Sequence, residues 1–207
     1  MGNNAEQSDG DGNGIASLIW ALNLRSLSGR TVTLGDALDL AGARIHGVAI
    51  LLMALPETMP LPIPSFGAIL GIPLLIASLH LMAYGERGNL PDRARRIHLP
   101  PRMIEMMVRY LTDPLTRVER ISHERLPALA RRERLVGVMC VLMSVLLLMP
   151  VPLMNVPPAI VLVCLSWGLL QRDGLLVGLG IAMAVGVVMT VFALADLIIA
   201  ALAGIAT

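Results

Sequence analysis

Residues 44–64 read RIHGVAILLMALPETMPLPIP, and residues 134–152 read RLVGVMCVLMSVLLLMPVP. Shifted by ninety residues, Arg44 falls on Arg134 and Gly47-Val48 on Gly137-Val138. In the same frame Leu52-Met53 falls on Leu142-Met143, and Met59-Pro60-Leu61-Pro62 on Met149-Pro150-Val151-Pro152. Each stretch passes from an arginine through an apolar run into alternating prolines. Proline has no N–H to donate and disfavours helix in the residue before it. Pro60, Pro62 and Pro64, like Pro150 and Pro152, therefore enforce a non-helical turn between two apolar helices. With a two-residue adjustment Ser78 meets Ser166, and with two more the exit Glu86-Arg87-Gly88 meets Arg172-Asp173-Gly174. Arginine, glycine and two prolines held in one frame point to an internal duplication.

The expected fold is all-α: a polytopic membrane protein of two related helix–proline-knot–helix repeats followed by a long C-terminal transmembrane segment. Apolar blocks at 45–55, 66–84, 135–149, 156–170 and 175–206 carry it. A bilayer core needs roughly 20 helical residues to cross. Most of the first four blocks fall short of that, and the fifth exceeds it. Two readings of the short blocks stay open. Either the knots turn back inside the membrane as re-entrant hairpins, where protein must satisfy their backbone, or they are surface loops joining helices extended by polar flanks. The chain divides into a disordered acidic tail (1–14), a first membrane repeat with an amphipathic N-terminal helix (15–84), an Arg-rich connector (85–126), a second repeat (127–174) and the C-terminal segment (175–207). The first repeat's polar helix starts near Thr33, where Thr33-x-x-Asp36 reads as a capping box, and the second near Pro127.

Of the 207 residues 56% are apolar and 15% charged, against about 45–50% apolar in soluble domains. This excludes disorder, nucleic-acid binding and an ordinary water-soluble domain. The basic residues are all arginine, most simply the mark of a GC-rich genome. Residues 85–134 hold 12 of the 16 arginines and 7 acids, so this loop should face the cytoplasm, and the N-terminus with it. Within it, Arg102, Glu105, Arg109 and Thr112 share one helical face and Ile104, Val108 and Leu111 another. That is an amphipathic helix, expected to break at Asp113-Pro114. It lies along the anionic inner leaflet or packs on protein. The tail lacks the basic start of a signal peptide, and Glu6 stands where myristoylation needs Ser or Thr.

Chemistry-bearing residues are few. Glu57 is the one charge between residues 45 and 84 and could bind a proton or cation if its knot is intramembrane; otherwise it is a solvated loop acid. Asn155, in the second knot, could supply polar contacts or cap a helix. Arg44 and Arg134 snorkel to headgroups or grip a phosphate together. Arg172 and Asp173 could neutralise each other in a tight turn. Asp196, alone in its block, must face a helix neighbour or water, or sit at the interface. His46 and His80 read as packed polar residues, and Cys140 and Cys164 as small apolar ones. No catalytic motif, metal-ligand spacing or cofactor motif stands out, so no enzyme, cofactor or metal is expected.

These residues resemble the ExoD-type exopolysaccharide synthesis proteins of bacteria. The likeness rests on Thr33-Leu-Gly-Asp36, Ala54-Leu-Pro56 leading to Leu61-Pro-Ile-Pro64, and Leu70-Gly-Ile-Pro-Leu74 followed by His80. In the second half it rests on Pro150-Val-Pro152, Asn155 and Gln171-Arg-Asp-Gly-Leu175, and it covers roughly residues 30–200. Gln171 departs from it, since an acid is expected there. The proline knots also resemble short motifs of DedA-like proteins, which are associated with lipid carriers. The resemblance implies an integral inner-membrane protein of exopolysaccharide production, but no catalytic residues. Expected partners are membrane lipids of the anionic inner leaflet and polysaccharide-assembly proteins, with no nucleic acid; the oligomeric state stays open.

Overall fold

The computed structural model describes residues 15–41, 45–58, 66–87, 90–121, 132–149 and 155–205. The acidic tail, Arg44 and the knot prolines Pro60, Pro62, Pro64, Pro150 and Pro152 lie outside the described residues. Among those described, every regular element is helical, as the apolar blocks and lack of period-two alternation require. The helices are α1 (Ile15–Leu27), α2 (Leu34–Ala41), α3 (Ile45–Ala54), α4 (Phe66–Tyr84), α5 (Asp92–Arg95), α6 (Pro101–Ile121), α7 (Glu133–Leu148), α8 (Val156–Leu170) and α9 (Gly174–Ile205). Short 3-10 turns follow α3 at Leu55–Thr58 and α4 at Gly85–Arg87.

Helices α3, α4, α7 and α8 form the central bundle. Its most extensive packing joins α4 to α7, helices on opposite sides of the connector. From His46 to Ala54 every α3 residue is buried, as a helix apolar on all sides must be. At the α4–α7 crossing Gly137 sits against the backbone of Leu81 and Met82. Deeper along the same interface the Ser78 and Ser144 hydroxyls lie 3.1 Å apart, each also donating to the carbonyl four residues earlier.

Helix α9 turns back from α8 and packs on it through Val177, Gly180 and Ala184. It has 32 residues against 15 in α8, so its second half continues past its neighbour. Val185, Met189, Phe192, Leu197 and Ile199 there are exposed. Among the described residues, α9 is the helix long and apolar enough to cross a membrane, over Gly174–Ala201.

A second layer joins the N-terminal helices to the connector. Thr33 and His98 form an isolated bridge, flanked by Leu34 N–H to Ile97 C=O at 2.8 Å and Leu99 N–H to Val32 C=O at 2.9 Å. The amphipathic face expected in the connector is present in α6. Met103, Ile104 and Met107 are buried where α6 packs on α1, leaving Arg102, Glu105 and Arg109 exposed. The expected break at Asp113-Pro114 is absent: α6 is continuous to Ile121. Pro114 deprives the helix of one N–H, whose partner would be the carbonyl of the exposed Tyr110, and water can satisfy that carbonyl.

The capping box at α2 is formed as its spacing demands. Thr33 N–H donates to Asp36 Oδ2 at 2.8 Å, Thr33 Oγ1 to the same oxygen at 2.7 Å, and Asp36 N–H to Thr33 Oγ1 at 3.2 Å. The Thr33 hydroxyl above all, then its N–H and the Arg25 guanidinium, hold the Asp36 carboxyl below the ordinary value of 3.8. A depressed acid stabilises the fold above its unfolded value and stops doing so as pH falls through the folded one. Thr33→Ala is expected to cost about 1 kcal/mol near neutrality. Its deficit against wild type in thermal unfolding should shrink once pH drops below the Asp36 value.

Candidate functional site

The turn that follows α3 meets the residues that open α8: Leu55 and Pro56 are buried in a 3-10 turn that packs on α8 and on α6. The turn is closed by Thr58 Oγ1 donating to Leu55 C=O at 2.7 Å. This places Glu57 beside Asn155, the residue preceding α8. Glu57 Oε1 and Asn155 Oδ1 are both shielded from solvent and, among the described residues, have no hydrogen-bond partner. Two unpaired acceptors side by side suit a ligand that brings donors: a proton, a cation or hydroxyl groups. Of the candidates read from sequence, these two are brought together, 98 residues apart in the chain.

The remaining candidates stand elsewhere. Arg134 is exposed in the first turn of α7, about 20 Å along that helix from the end nearer Asn155. Asp196 is exposed on the part of α9 that has passed α8. Arg172 is exposed and holds a left-handed φ of 53° where α8 ends. Asp173 N–H bonds Gly168 C=O at 2.9 Å and Arg172 N–H bonds Leu169 C=O at 3.4 Å. That is a Schellman closure with arginine at the position glycine usually fills. Asp173, 3% exposed, turns its carboxylate to Leu175 N–H at 3.0 Å and so opens α9.

The opposite end of the bundle holds a cluster that the sequence hid among the connector's charges. Helix α4 ends at Gly85, also left-handed at φ 67°, followed by Glu86. The Glu86 carboxylate reaches back to the start of α3, accepting Gly47 N–H at 2.7 Å and His46 N–H at 3.1 Å. Its own N–H donates to Glu133 Oε2 of α7 at 2.9 Å. The positive φ favours glycine at 85, and a side chain there would also have to displace the Glu133 carboxylate from its bond with Glu86 N–H. Both α4 and α8 thus end in a left-handed residue and an acid that caps another helix. The local signal was an acid directly after a helix-ending glycine; its partner, 39 residues back, was not legible.

His46 completes the cluster. Its ring is fully buried, with Nδ1 3.7 Å from Glu86 Oε2 and, among the described residues, no hydrogen-bond partner for either nitrogen. It stacks on His80 with centroids 5.9 Å apart, and His80 lies against Tyr84 at 5.0 Å. Both histidines are packed, as expected. Cys140 and Cys164 are free thiols, and among the described residues no three metal-ligating side chains converge.

The profile of the family described as "Exopolysaccharide synthesis, ExoD" matches residues 18–193. Protein ExoD of Rhizobium meliloti is 28% identical over 163 residues, which span 76% of this chain and 68% of that protein. An uncharacterized protein of Synechocystis sp. is 28% identical over 160 residues, 76% of each chain. No solved structure matches.

Proposed function

The chain belongs to the ExoD exopolysaccharide synthesis family, and from that premise we propose that it handles a lipid or lipid-linked precursor of the polysaccharide in the bacterial inner membrane. The handling is ion-coupled and involves no catalysis by this chain. The observation that carries this reading is the junction of Glu57 and Asn155, with two shielded acceptors left open. In this reading the two halves are related repeats whose knots turn back inside the membrane, with the N-terminus and residues 85–134 on the cytoplasmic side. Backbone bent by proline is tolerated at membrane depth where protein covers it, and the packing of the Leu55–Thr58 turn against α8 and α6 supplies such cover.

Glu57→Gln keeps the shape and removes the charge. It is expected to lower exopolysaccharide output about tenfold or more at unchanged protein level, the worth of one charge-assisted hydrogen bond. Unchanged output would remove the role given to Glu57. Cysteine at position 155 should react slowly with an impermeant maleimide added outside; rapid labelling would make the second knot a surface loop.

A second reading has one observation in its favour. Because α1 already covers the apolar face of α6, the connector turns Arg102, Arg109 and Arg117 outward, and these could dock a polysaccharide-assembly protein. Their joint replacement would then abolish partner co-purification while the chain still inserts. Under the first reading it would weaken dependence on anionic lipid instead.

A further inference from the structure

The geometry at the start of α3 points to a proton-binding site at His46, shared with Glu86, with His80 and Tyr84 forming its outlet. We propose this independently of precursor handling, because the site lies at the opposite end of the bundle from Glu57 and Asn155.

A neutral imidazole has one N–H to give and one lone pair to receive. Burying both without partners is costly, and the His46 ring is fully buried with neither nitrogen paired among the described residues. Protonation makes both nitrogens donors and gives the ring a charge that the Glu86 carboxylate can balance. The Nδ1–Oε2 separation is 3.7 Å, so a shift of under about 1 Å closes it to a charged hydrogen bond. A hydronium ion gives its proton to the imidazole and leaves as water, and an imidazolium–carboxylate pair results.

The surrounding elements favour one added positive charge and no more. The turn after α4 brings Glu86. Helix α7 brings Glu133, whose carboxylate is one backbone N–H away. Helix α4 brings His80 and Tyr84. Helix α8 brings Leu170 against Gly47. The acids of α2 are engaged elsewhere, Asp36 with Thr33 and Asp39 with Arg95. Two imidazoliums with centroids 5.9 Å apart repel, so His46 and His80 do not charge together. Tyr84, 63% exposed, marks where the cluster meets its surroundings.

The test is nitrogen NMR of the full chain labelled at histidine, in lipid nanodiscs, from about pH 5 to about pH 9. His46→Gln identifies the His46 signals by their loss. The expected result is a single conversion of His46 to imidazolium. Glu86→Gln, whose amide oxygen still accepts from one of the two α3 N–H groups, should weaken its proton affinity about tenfold or more. His80→Gln, which removes the ring that competes for the same charge, should strengthen it. A His46 ring that stays neutral over the whole range overturns the proposal, and so does a titration indifferent to both substitutions.

Discussion

Glu86→Ala is expected to lower stability by about 3 kcal/mol or more, seen as a fall in the thermal midpoint in detergent. The Glu86 carboxylate accepts two main-chain N–H groups from the first turn of α3, a helix whose every residue from His46 to Ala54 is buried. Alanine leaves both donors without a partner where water cannot easily replace it. It also takes a negative charge from the positive end of a helix dipole. Glu86→Gln should cost less, about 1–2 kcal/mol, since its one amide oxygen still accepts from one N–H while its NH2 group faces the other. The contrast between the two, read with hydrogen exchange at the amides of Gly47 and its successors, separates capping from any general loss of charge. Equal deficits for both substitutions would show that the hydrogen bonds do not carry the stabilisation.

The second large effect belongs to Gly137. A Cβ there would stand 2.5 Å from both the N and Cα of Met82 and 2.9 Å from the carbonyl carbon of Leu81. These are backbone atoms, so no rotamer change relieves the contact, and α4 must move away from α7. Gly137→Ala is expected to cost about 3 kcal/mol, the upper end of ordinary overpacking. Gly137→Leu should prevent recovery of folded protein. Gly186 is the internal control: a Cβ there meets nothing within 4 Å. Gly186→Ala should leave the midpoint unchanged or slightly raised, because alanine is the better helix former. A mild Gly137→Ala variant would mean that the two helices are held less closely than the backbone separation implies.

What could be read from the chain followed the range of the forces involved. The Thr33–Asp36 box is local, three residues long, and its hydrogen bonds formed as expected. Glu57 and Asn155 stood out because charge and amide are scarce in apolar sequence, although nothing in either knot said that they would touch. The Glu86 cap was hidden because its donors lie 40 and 39 residues away and its setting is full of other charges. Composition labelled it a connector acid, whereas the fold uses it as part of α3. Pro114 misled in the opposite way. Local chemistry argues for a break, but one missing N–H on a solvent-facing helix is a small loss beside the apolar face that α6 buries on α1.

The hydrogen bonds at the start of α3 also impose an order on synthesis. The helix itself ends at Ala54, its cap arrives with Glu86, the acid that fixes Glu86 arrives with Glu133, and Gly47 gains its cover only with Leu170. At about 5–20 residues per second, a ribosome needs on the order of ten seconds to make that stretch. For that interval an almost wholly apolar segment has left the tunnel without the groups that finish it. The contacts that finish the start of α3 are therefore complete only once Leu170 has emerged, long after the helix itself has been made.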